Sequence, residues 1–375
     1  MKIKKIFATG MFRSGTTFLA KLINSNKKIT FISDSFFSVF KFAKNDFFNE
    51  NIFNKPFDDY LYLNPNLKEF NKFQKLNLKN LKFKKNLKQI NKIINKDTKK
   101  FSPEFNKKTC LKIKNDNYHL LFKEIFDILH KVKNNYIVGL KEVWVVEFIP
   151  LLINFDKNIK NLIIIRDPRA VIASNFHSKQ TYPLVFLIKQ WKKISNLAFY
   201  YKKKFPKKVY LIKFENLIEN PIKEIRRINN FLKLKNGLTN SDIKKLKWTQ
   251  NTSYNIYKKK FNKISIHKWK EILTRDEIKF IEKYCFIEME MFNYKRDYIN
   301  KKNFWWKSEI PKRKVQLSKW IKPFVKNLGY INLNFLNIEN LKFSDFKSNA
   351  KFKNKYLYNN DLYSHHKKIF RKLLL

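Results

Sequence analysis

Glycine is scarce in this sequence, with 5 among 375 residues, and acidic side chains are few, with 30 Asp and Glu against 81 Lys and Arg. Cysteine occurs only twice, as Cys110 and Cys285, which lie far apart and form no CxxC pair. Their spacing argues against a structural zinc site, and so few cysteines favour a reducing compartment. We therefore expect no structural metal and no disulfide framework.

A long apolar run is also missing from the start of the chain. The basic residues Lys2, Lys4 and Lys5 precede an apolar stretch that Arg13 soon interrupts, which makes it too short for a signal peptide or a membrane anchor. The sequence therefore predicts a cytoplasmic protein without a transmembrane segment.

The formal net charge is +51, and a field of that size attracts polyanions such as nucleic acids, anionic membranes and acidic glycans. However, Lys, Asn, Ile and Phe are abundant together while glycine is rare, which an AT-rich coding sequence would produce whatever the function. We favour codon bias as the main cause, with the surplus charge still available to an anionic ligand. Apolar residues make up 44%, which predicts a packed fold and not a disordered chain.

Short apolar runs alternate with helical patterns along the chain. This alternation predicts an α/β fold of three layers, with a central parallel sheet covered by helices on both faces. The Lys/Asn-rich stretch at about 51–108 is predicted to be a helical insertion in a main domain of residues 1–299, and 300–375 a C-terminal extension of unknown role. The predicted strands are residues 3–9, 29–32, 136–140, 162–165 and 209–213.

The segment Gly10–Thr17, GMFRSGTT, lies between the first predicted strand and a helical pattern. A glycine-containing turn at this place aims backbone N–H groups and a helix N-terminus at a phosphate. Its spacing imitates the Walker A loop, but Thr16 occupies the lysine position and a cation stands earlier, at Arg13. A nucleotide kinase would lack the lysine that contacts its β- and γ-phosphates. The loop therefore predicts an anionic donor other than a nucleoside triphosphate.

A second motif spans Leu162–Ser174, LIIIRDPRAVIAS. A buried strand ends at Arg166, Asp167 can cap the next helix, and Pro168 suits the first helical position. Ser174 shares a helix face with Asp167, so that Arg166 and Ser174 could together hold a second phosphate.

These two motifs, in this order and each after a strand, resemble those of the sulfotransferases that use 3′-phosphoadenosine 5′-phosphosulfate (PAPS), a family with a fold like that of P-loop NTPases. Asn293-Tyr294 stands where the family usually has Gly-Tyr. The resemblance implies three sets of donor-binding residues: Arg13, Ser14, Gly15, Thr16 and Thr17 for the 5′-phosphosulfate, Arg166 and Ser174 for the 3′-phosphate, and His267, Lys268 and Trp269 near the 3′-phosphoadenosine.

The resemblance also implies transfer of a sulfuryl group to an acceptor hydroxyl, with Arg13 stabilising charge and Lys141 contacting the transferring group. Two carboxylates are candidates for the general base. Asp34 matches the base of the tyrosyl-protein branch by register from Arg13, although it could instead cap the helix that follows. Glu142 is the rival, unless it pairs with Lys141 and acts as an orienting residue. Val143 stands where the cytosolic branch has its histidine.

The acceptor is left open between carbohydrate, peptide and lipid; we favour a carbohydrate because a long insertion and tail could wall an open groove. No metal is expected, because no triphosphate charge needs neutralising. Two other functions are weighed: a P-loop nucleotide-dependent kinase, opposed by the missing lysine, and a basic nucleic-acid-binding protein, supported by charge alone.

Overall fold

A computed structural model of the chain describes residues 3–52, 67–82, 85–106, 111–178, 182–234, 237–245 and 264–300, together with Pro311. The prediction for Cys110 and nearly all of the predicted 300–375 extension lie outside these residues. The described residues fall into two compact units. The sheet unit lies within Met1–Leu63, Asn71–Ile165 and Tyr201–Lys247, and the helical unit within Asn64–Phe70, Arg166–Tyr200 and Trp248–Leu375.

Five parallel strands form one sheet in the order β2-β3-β1-β4-β5, which confirms the predicted α/β class. Each predicted apolar run overlaps one of these strands. The largest difference is at the end of β3, which continues past Leu140 because its ladder to β1 runs on to the pair Gly10 and Val143. The strands are β1 (Lys4–Gly10), β2 (Ile29–Ser33), β3 (Ile137–Val143), β4 (Lys160–Ile165) and β5 (Val209–Lys213).

Helices occupy most of the remaining described chain, and none of those described is long and apolar enough to cross a membrane. Two 3₁₀ helices add to them, at Leu78–Asn80 and Val146–Phe148. The α-helices are α1 (Thr16–Asn24), α2 (Phe37–Asn51), α3 (Leu67–Gln74), α4 (Leu87–Phe101), α5 (Pro103–Asn106), α6 (Tyr118–Lys133), α7 (Ile149–Phe155), α8 (Pro168–Phe176), α9 (Leu184–Lys204), α10 (Phe214–Glu219), α11 (Pro221–Leu232), α12 (Asn240–Lys245), α13 (Ile264–His267), α14 (Trp269–Ile272), α15 (Arg275–Tyr284) and α16 (Phe286–Met291).

The core of the sheet unit is rich in phenylalanine. Phe40 on α2 is fully buried, and its ring centroid lies 5.7 Å from that of Phe7 on β1, 5.1 Å from Phe122 on α6 and 5.0 Å from Phe148. Aromatic pairs at such separations contribute about 0.5–1.5 kcal/mol each beyond the burial of their area. Thus α2 and α6 are fixed against the central strand β1 by ring packing.

The described part of the 51–108 stretch consists of α3, α4 and α5 and one 3₁₀ helix, so it is mainly helical; its assignment as an insertion stays a prediction. Ser102, which follows α4, serves the outermost strand of the sheet. Its hydroxyl accepts from the Ser33 N–H and donates to the Ser33 carbonyl, both at 2.9 Å. Because an edge strand leaves backbone groups unpaired, this contact covers the end of β2.

A buried ion pair lies in the same aromatic core. The Lys44 ammonium on α2 donates to Glu147, and each of the two side chains is 1% exposed. The Lys44 ammonium also lies 5.6 Å from the centre of the Phe48 ring. Removing one partner of a buried pair leaves an uncompensated charge, which costs far more than the pair contributes in net stability.

We expect Glu147→Ala to lower the free energy of unfolding by about 3–5 kcal/mol, measured by urea denaturation, because it removes the negative partner of the buried Lys44 ammonium. The double variant Lys44→Met with Glu147→Leu should recover most of that loss, since it replaces both charges by apolar groups of similar volume. A single variant as stable as the parent would show that the pair is not desolvated as described.

Candidate active site

The loop Gly10–Thr17 connects β1 to α1 and has no room for larger residues at its two glycines. A Cβ on Gly10 would lie 2.5 Å from the Ile164 carbonyl oxygen, and one on Gly15 would overlap the Phe214 ring. Gly15 is the N-cap of α1 with φ of 94°, and the first turn of α1 contains no acidic side chain. The buried Ser14 hydroxyl donates to the Met11 carbonyl at 2.5 Å. The loop is thus a fixed turn that leads into a helix N-terminus open to anions.

Arg13 in this loop is stacked on an aromatic neighbour. Its guanidinium carbon lies 4.5 Å from the centre of the Phe12 ring, and Phe12 packs at 5.5 Å on Trp144, the residue after β3. The backbone N–H of Trp144 donates to the Gly10 carbonyl at 3.1 Å. This backbone hydrogen bond and the ring contacts therefore join the end of β3 to the loop Gly10–Thr17. They also restrict where the Arg13 cation can lie.

Asp34 and Lys141 meet at the carboxyl ends of the neighbouring strands β2 and β3. The Lys141 ammonium donates to Asp34 Oδ2, the Val143 N–H donates to Oδ1 at 3.2 Å, and the Asp34 N–H donates to the Lys141 carbonyl at 2.7 Å. The Lys141 side chain is fully buried, whereas that of Asp34 is 14% exposed. The carboxylate is therefore the member of the pair that solvent can reach.

Two of the expectations for these residues are wrong. Asp34 does not cap the following helix, because α2 begins at Phe37 and its N-cap is Phe36. Lys141 does not pair with Glu142 but with Asp34, because consecutive side chains of a strand point to opposite faces.

Glu142 is completely buried, and its Oε1 accepts from the Phe36 N–H at 3.0 Å. Its Oε2 has no hydrogen-bond partner among the described residues. Burial, and secondly the negative charge of Asp34, raise the pKa of Glu142 well above its ordinary value, although the Phe36 N–H and Lys141 act in the opposite direction. The neutral form is favoured at this site.

Residues with a strained backbone lie at the carboxyl ends of the strands. Six described non-glycine residues have a positive φ. Three of them end helices α6, α11 and α16, where the left-handed conformation is common: Asn134, Lys233 and Asn293. The other three follow β1, β2 and β3: Arg13, Asp34 and Trp144. Such conformations cost about 1–3 kcal/mol each and cluster at functional sites.

Asn293 also accounts for the departure from the Gly-Tyr that is usual in the family. Its φ is 54°, just beyond the end of α16, and the next N–H, that of Tyr294, donates back to the Met289 carbonyl at 2.8 Å. Asparagine is the residue after glycine that best tolerates this conformation, so the helix still ends in the same way.

In the helical unit, the expected start of α8 is present. Asp167 is its N-cap and accepts from the Arg169 N–H at 2.8 Å, and Pro168 is its first residue. Arg166 and Ser174 are both nearly buried, and the Trp191 indole N–H donates to the Arg166 carbonyl at 2.9 Å. The Arg166 carbonyl and the helix start that follows it are therefore both held in place.

Sequence reasoning missed the role of Arg169. Its guanidinium donates to both Asp167 carboxylate oxygens at 3.0 and 2.7 Å and to Glu282 at 2.6 Å, and it lies 4.0 Å from the centre of the Trp269 ring. Glu282 also accepts three backbone N–H groups of residues 297–299, at 2.7 to 2.9 Å. The one available signal was an arginine two positions after a capping aspartate.

The residues predicted near the donor nucleoside lie in this unit as well. Trp269 is buried with one ring face against Arg169, Lys268 is the N-cap of α14, and His267 is exposed at the end of α13. The predicted site residues thus fall into two groups. The sheet unit assembles the loop Arg13–Thr17 with Asp34, Lys141 and Glu142, and the helical unit contains Arg166, Ser174 and residues 267–269. Among the described residues, no group of three or more His, Cys, Asp or Glu could hold a metal ion.

A family model described as "Sulfotransferase family" matches residues 5–236, which is more than half of the chain and includes both phosphate motifs. The chain belongs to the sulfotransferase family. No curated protein sequence matches it significantly.

Three solved sulfotransferases align with most of the chain at low sequence identity. The sulfotransferase domain from the curacin biosynthetic pathway is 13% identical with a TM-score of 0.44, over 79% of this chain and 99% of that one. The corresponding domain of the Synechococcus PCC 7002 olefin synthase is also 13% identical with a TM-score of 0.44, over 78% and 96%. A sulfotransferase from Mycobacterium avium is 10% identical with a TM-score of 0.40, over 79% and 78%.

For this sulfotransferase we expect Gly15→Ala to lower the free energy of unfolding by about 1–3 kcal/mol, because a Cβ at positive φ is strained and meets Phe214. Chemical denaturation measures the loss. Thr17→Ala, a substitution two positions away at a half-buried side chain, is the control and should stay within about 0.5 kcal/mol of the parent. Equal stability of Gly15→Ala and the parent would contradict the described loop.

Proposed function

We propose that this sulfotransferase takes a sulfuryl group from PAPS and places it on an acceptor hydroxyl, with a carbohydrate as the favoured acceptor class. The observation that carries the proposal is the Asp34–Lys141 ion pair, in which Asp34 has a strained backbone conformation. This pair lies beside the loop Gly10–Thr17, which lacks the lysine of a Walker A loop. Lys141 pairs with Ala8 in the β1–β3 ladder, and Ala8 is two residues before the start of the loop at Gly10. The Lys141 cation, the Asp34 carboxylate and the loop Gly10–Thr17 therefore lie together at the carboxyl ends of the strands.

The donor, when bound, supplies the sulfuryl group with its own 5′-phosphate as the leaving group. Two features support the fit of the loop to that phosphate: the closely packed Gly15 at the N-cap of α1, and the absence of acidic side chains from the first turn. The backbone N–H groups of Gly15, Thr16 and Thr17, with the Arg13 cation and the Thr17 hydroxyl, would bind the phosphate and stabilise charge on it.

Arg166 and Ser174 would bind the 3′-phosphate of the donor. In support of this, Arg166 lies between β4 and the capped start of α8, where the Trp191 contact fixes its backbone. An arginine can offer the phosphate two parallel hydrogen bonds. His267, Lys268 and Trp269 would border the nucleoside.

Asp34 would take the proton of the acceptor hydroxyl. The Asp34 carboxylate is held by the Lys141 ammonium, and the partial exposure of Asp34 gives an acceptor hydroxyl access to it. Glu142 is fully buried, so an acceptor hydroxyl could not reach it without a rearrangement. Lys141, whose side chain is also fully buried, would act on the sulfuryl oxygens through its positive charge and not by direct contact.

The preference for a carbohydrate acceptor draws on the predicted insertion. Helix α4 belongs to it and lies beside the turn that carries Asp34, because the Ser38 hydroxyl donates to Asp97 on α4 at 2.7 Å. Burial raises the pKa of Asp97, and the negative charge of Asp34 adds to that shift. The insertion therefore borders the proposed base, where it could wall an open groove for a chain-like acceptor.

The proposed function is tested by incubating the protein with sulfur-labelled PAPS and a panel of glycans, peptides and lipids, with and without EDTA. We expect label on a hydroxyl-bearing acceptor, equally in both conditions. Transfer that EDTA abolishes and magnesium restores, or phosphate transfer from ATP, would favour the kinase. Label on peptides or lipids alone would overturn the carbohydrate preference and leave the reaction standing.

Arg166→Ala should weaken binding of the product 3′,5′-adenosine bisphosphate by about 10- to 100-fold and leave AMP binding nearly unchanged, because a charged hydrogen bond to the 3′-phosphate is worth about 1.5–3 kcal/mol. Calorimetric titration measures both. Arg226→Ala, at an exposed arginine of α11, is the matched control and should change neither affinity. If Arg166→Ala weakened both ligands equally, the arginine would be merely structural.

Asp34→Asn should lower kcat by roughly 100-fold or more and leave the affinity for 3′,5′-adenosine bisphosphate intact, because the amide cannot accept the proton. Asparagine tolerates the φ of 51° and can still accept from the Val143 N–H, so the turn can keep its geometry. Because the Lys141 ammonium loses its negative partner, we also expect a lower free energy of unfolding, and kcat is measured at a temperature where the variant is folded. Asp97→Asn, on the adjacent helix α4, serves as the control and should retain kcat within a few-fold. An active Asp34→Asn enzyme would rule out Asp34 as the base.

A further inference from the structure

The turn at residues 34–36 is held by three consecutive residues of β3. Lys141 binds the Asp34 carboxylate through its ammonium and the Asp34 N–H through its carbonyl, and the Val143 N–H donates to the same carboxylate. Glu142, between them, reaches past Asp34 to the Phe36 N–H. The strained φ of Asp34 is therefore maintained by contacts on both sides of the residue, as a left-handed non-glycine residue requires.

Glu142 also replaces a helix cap. Phe36 is the N-cap of α2 and no side chain of that segment caps the helix, so its first N–H groups need acceptors from elsewhere. The Glu142 carboxyl provides one from the adjacent strand, at a position from which solvent is excluded because both residues are 0% exposed. Without this acceptor, the Phe36 N–H would be buried with no partner, which costs about 1–3 kcal/mol.

We propose that Glu142 is a positioning residue for the sulfuryl transfer: as an uncharged hydrogen-bond acceptor it fixes the turn that carries Asp34 and does not itself exchange a proton with the acceptor. This inference rests on the proposed function, because it assigns the role of base to Asp34.

The charged groups around Glu142 favour its uncharged form. Asp34 and Asp97 oppose a second negative charge, and Lys141, the nearby cation, already binds Asp34. An ionised Glu142 would compete with Asp34 for Lys141 and would be buried with a single hydrogen bond. The raised pKa of Glu142 agrees with this arrangement.

The two carboxyl groups can be separated by substitution. Glu142→Gln keeps an uncharged carbonyl acceptor for the Phe36 N–H, and we expect its kcat to stay within about 3-fold of the parent. Glu142→Ala removes the acceptor, and we expect kcat to fall at least about 10-fold while the affinity for 3′,5′-adenosine bisphosphate changes less than about 2-fold. An inactive Glu142→Gln enzyme that still binds this ligand would overturn the proposal and make Glu142 the base.

Glu224→Gln is the matched control. Glu224 is also buried and accepts a neutral hydrogen bond, from the Tyr210 hydroxyl at 2.8 Å, in addition to one from the Arg227 guanidinium at 3.4 Å. It lies on α11 against β5, the strand at the far side of the sheet from β2. Its substitution should leave kcat unchanged. A similar fall of kcat in Glu224→Gln and in Glu142→Ala would attribute the effect to general loss of packing, and the positioning role would be rejected.

Stability against pH gives a readout that does not depend on transfer. The folded pKa of Glu142 lies above the ordinary 4.5, so wild-type stability from this group is full below pH 4.5 and is lost as pH rises through the folded value. Glu142→Gln does not titrate and should therefore gain stability relative to wild type with rising pH. A constant difference between the two proteins would show that Glu142 is ionised in the folded state.

Amide exchange distinguishes failure of this inference from failure of the proposed function. In Glu142→Ala the Asp34 and Phe36 amides should exchange faster than in wild type, and in Glu142→Gln they should remain protected, whether or not PAPS is the donor. If wild type neither transfers label nor binds 3′,5′-adenosine bisphosphate, the proposed function fails alone. Equal protection of the turn in all three proteins would refute the positioning role even in an active enzyme.

Discussion

The ion pair of Asp34 and Lys141 is the contact on which the rest of the candidate site depends. It joins the ends of β2 and β3 and keeps a carboxylate partly exposed while its cation is fully buried. A buried ammonium without a partner would be strongly unfavourable, so Lys141 requires Asp34 as much as Asp34 requires Lys141. In its left-handed conformation, Asp34 presents both its carboxylate and its N–H to β3.

Contacts at the ends of the neighbouring strands fix the position of the loop Gly10–Thr17 as well. Trp144 directly follows β3, and its backbone N–H donates a hydrogen bond to the Gly10 carbonyl. Its ring packs on Phe12, which in turn stacks on Arg13. The loop, the ion pair and the buried Glu142 are thus built on the ends of three adjacent strands. Parallel sheets place ligands at this edge because their strand ends and helix N-termini converge there.

Much of the sheet and the loop could be predicted from local patterns. The five apolar runs, the glycine turn before α1 and the Asp167-Pro168 start of α8 are all encoded within about ten residues. The Glu142 contact could not be predicted in this way, because it joins residues 106 apart in sequence, and neither could the Arg169–Glu282 pair, 113 apart. Strand alternation was overlooked for Lys141 and Glu142, although it excludes their pairing.

The large positive charge does not by itself mark the site. Lysines also crowd the amino edge of the sheet, where Lys4 donates to the Lys233 carbonyl and Lys160 to the Lys207 carbonyl. Burial, and then the charges of Lys208, Lys233 and Lys4, lower the pKa of Lys160. Cations therefore occur at both the amino and the carboxyl ends of the strands, as codon bias would produce. The candidate site is distinguished instead by the geometry of its loop and its ion pair.

We propose above all that the loop Gly10–Thr17 binds the 5′-phosphate of an adenosine bisphosphate, and a crystal structure with 3′,5′-adenosine bisphosphate tests this proposal. We expect the 5′-phosphate oxygens to lie within about 3 Å of backbone N–H groups between Arg13 and Thr17, with Asp34 still bound to Lys141. A nucleotide bound with its 5′-phosphate away from this loop would show that the loop is not the phosphate site.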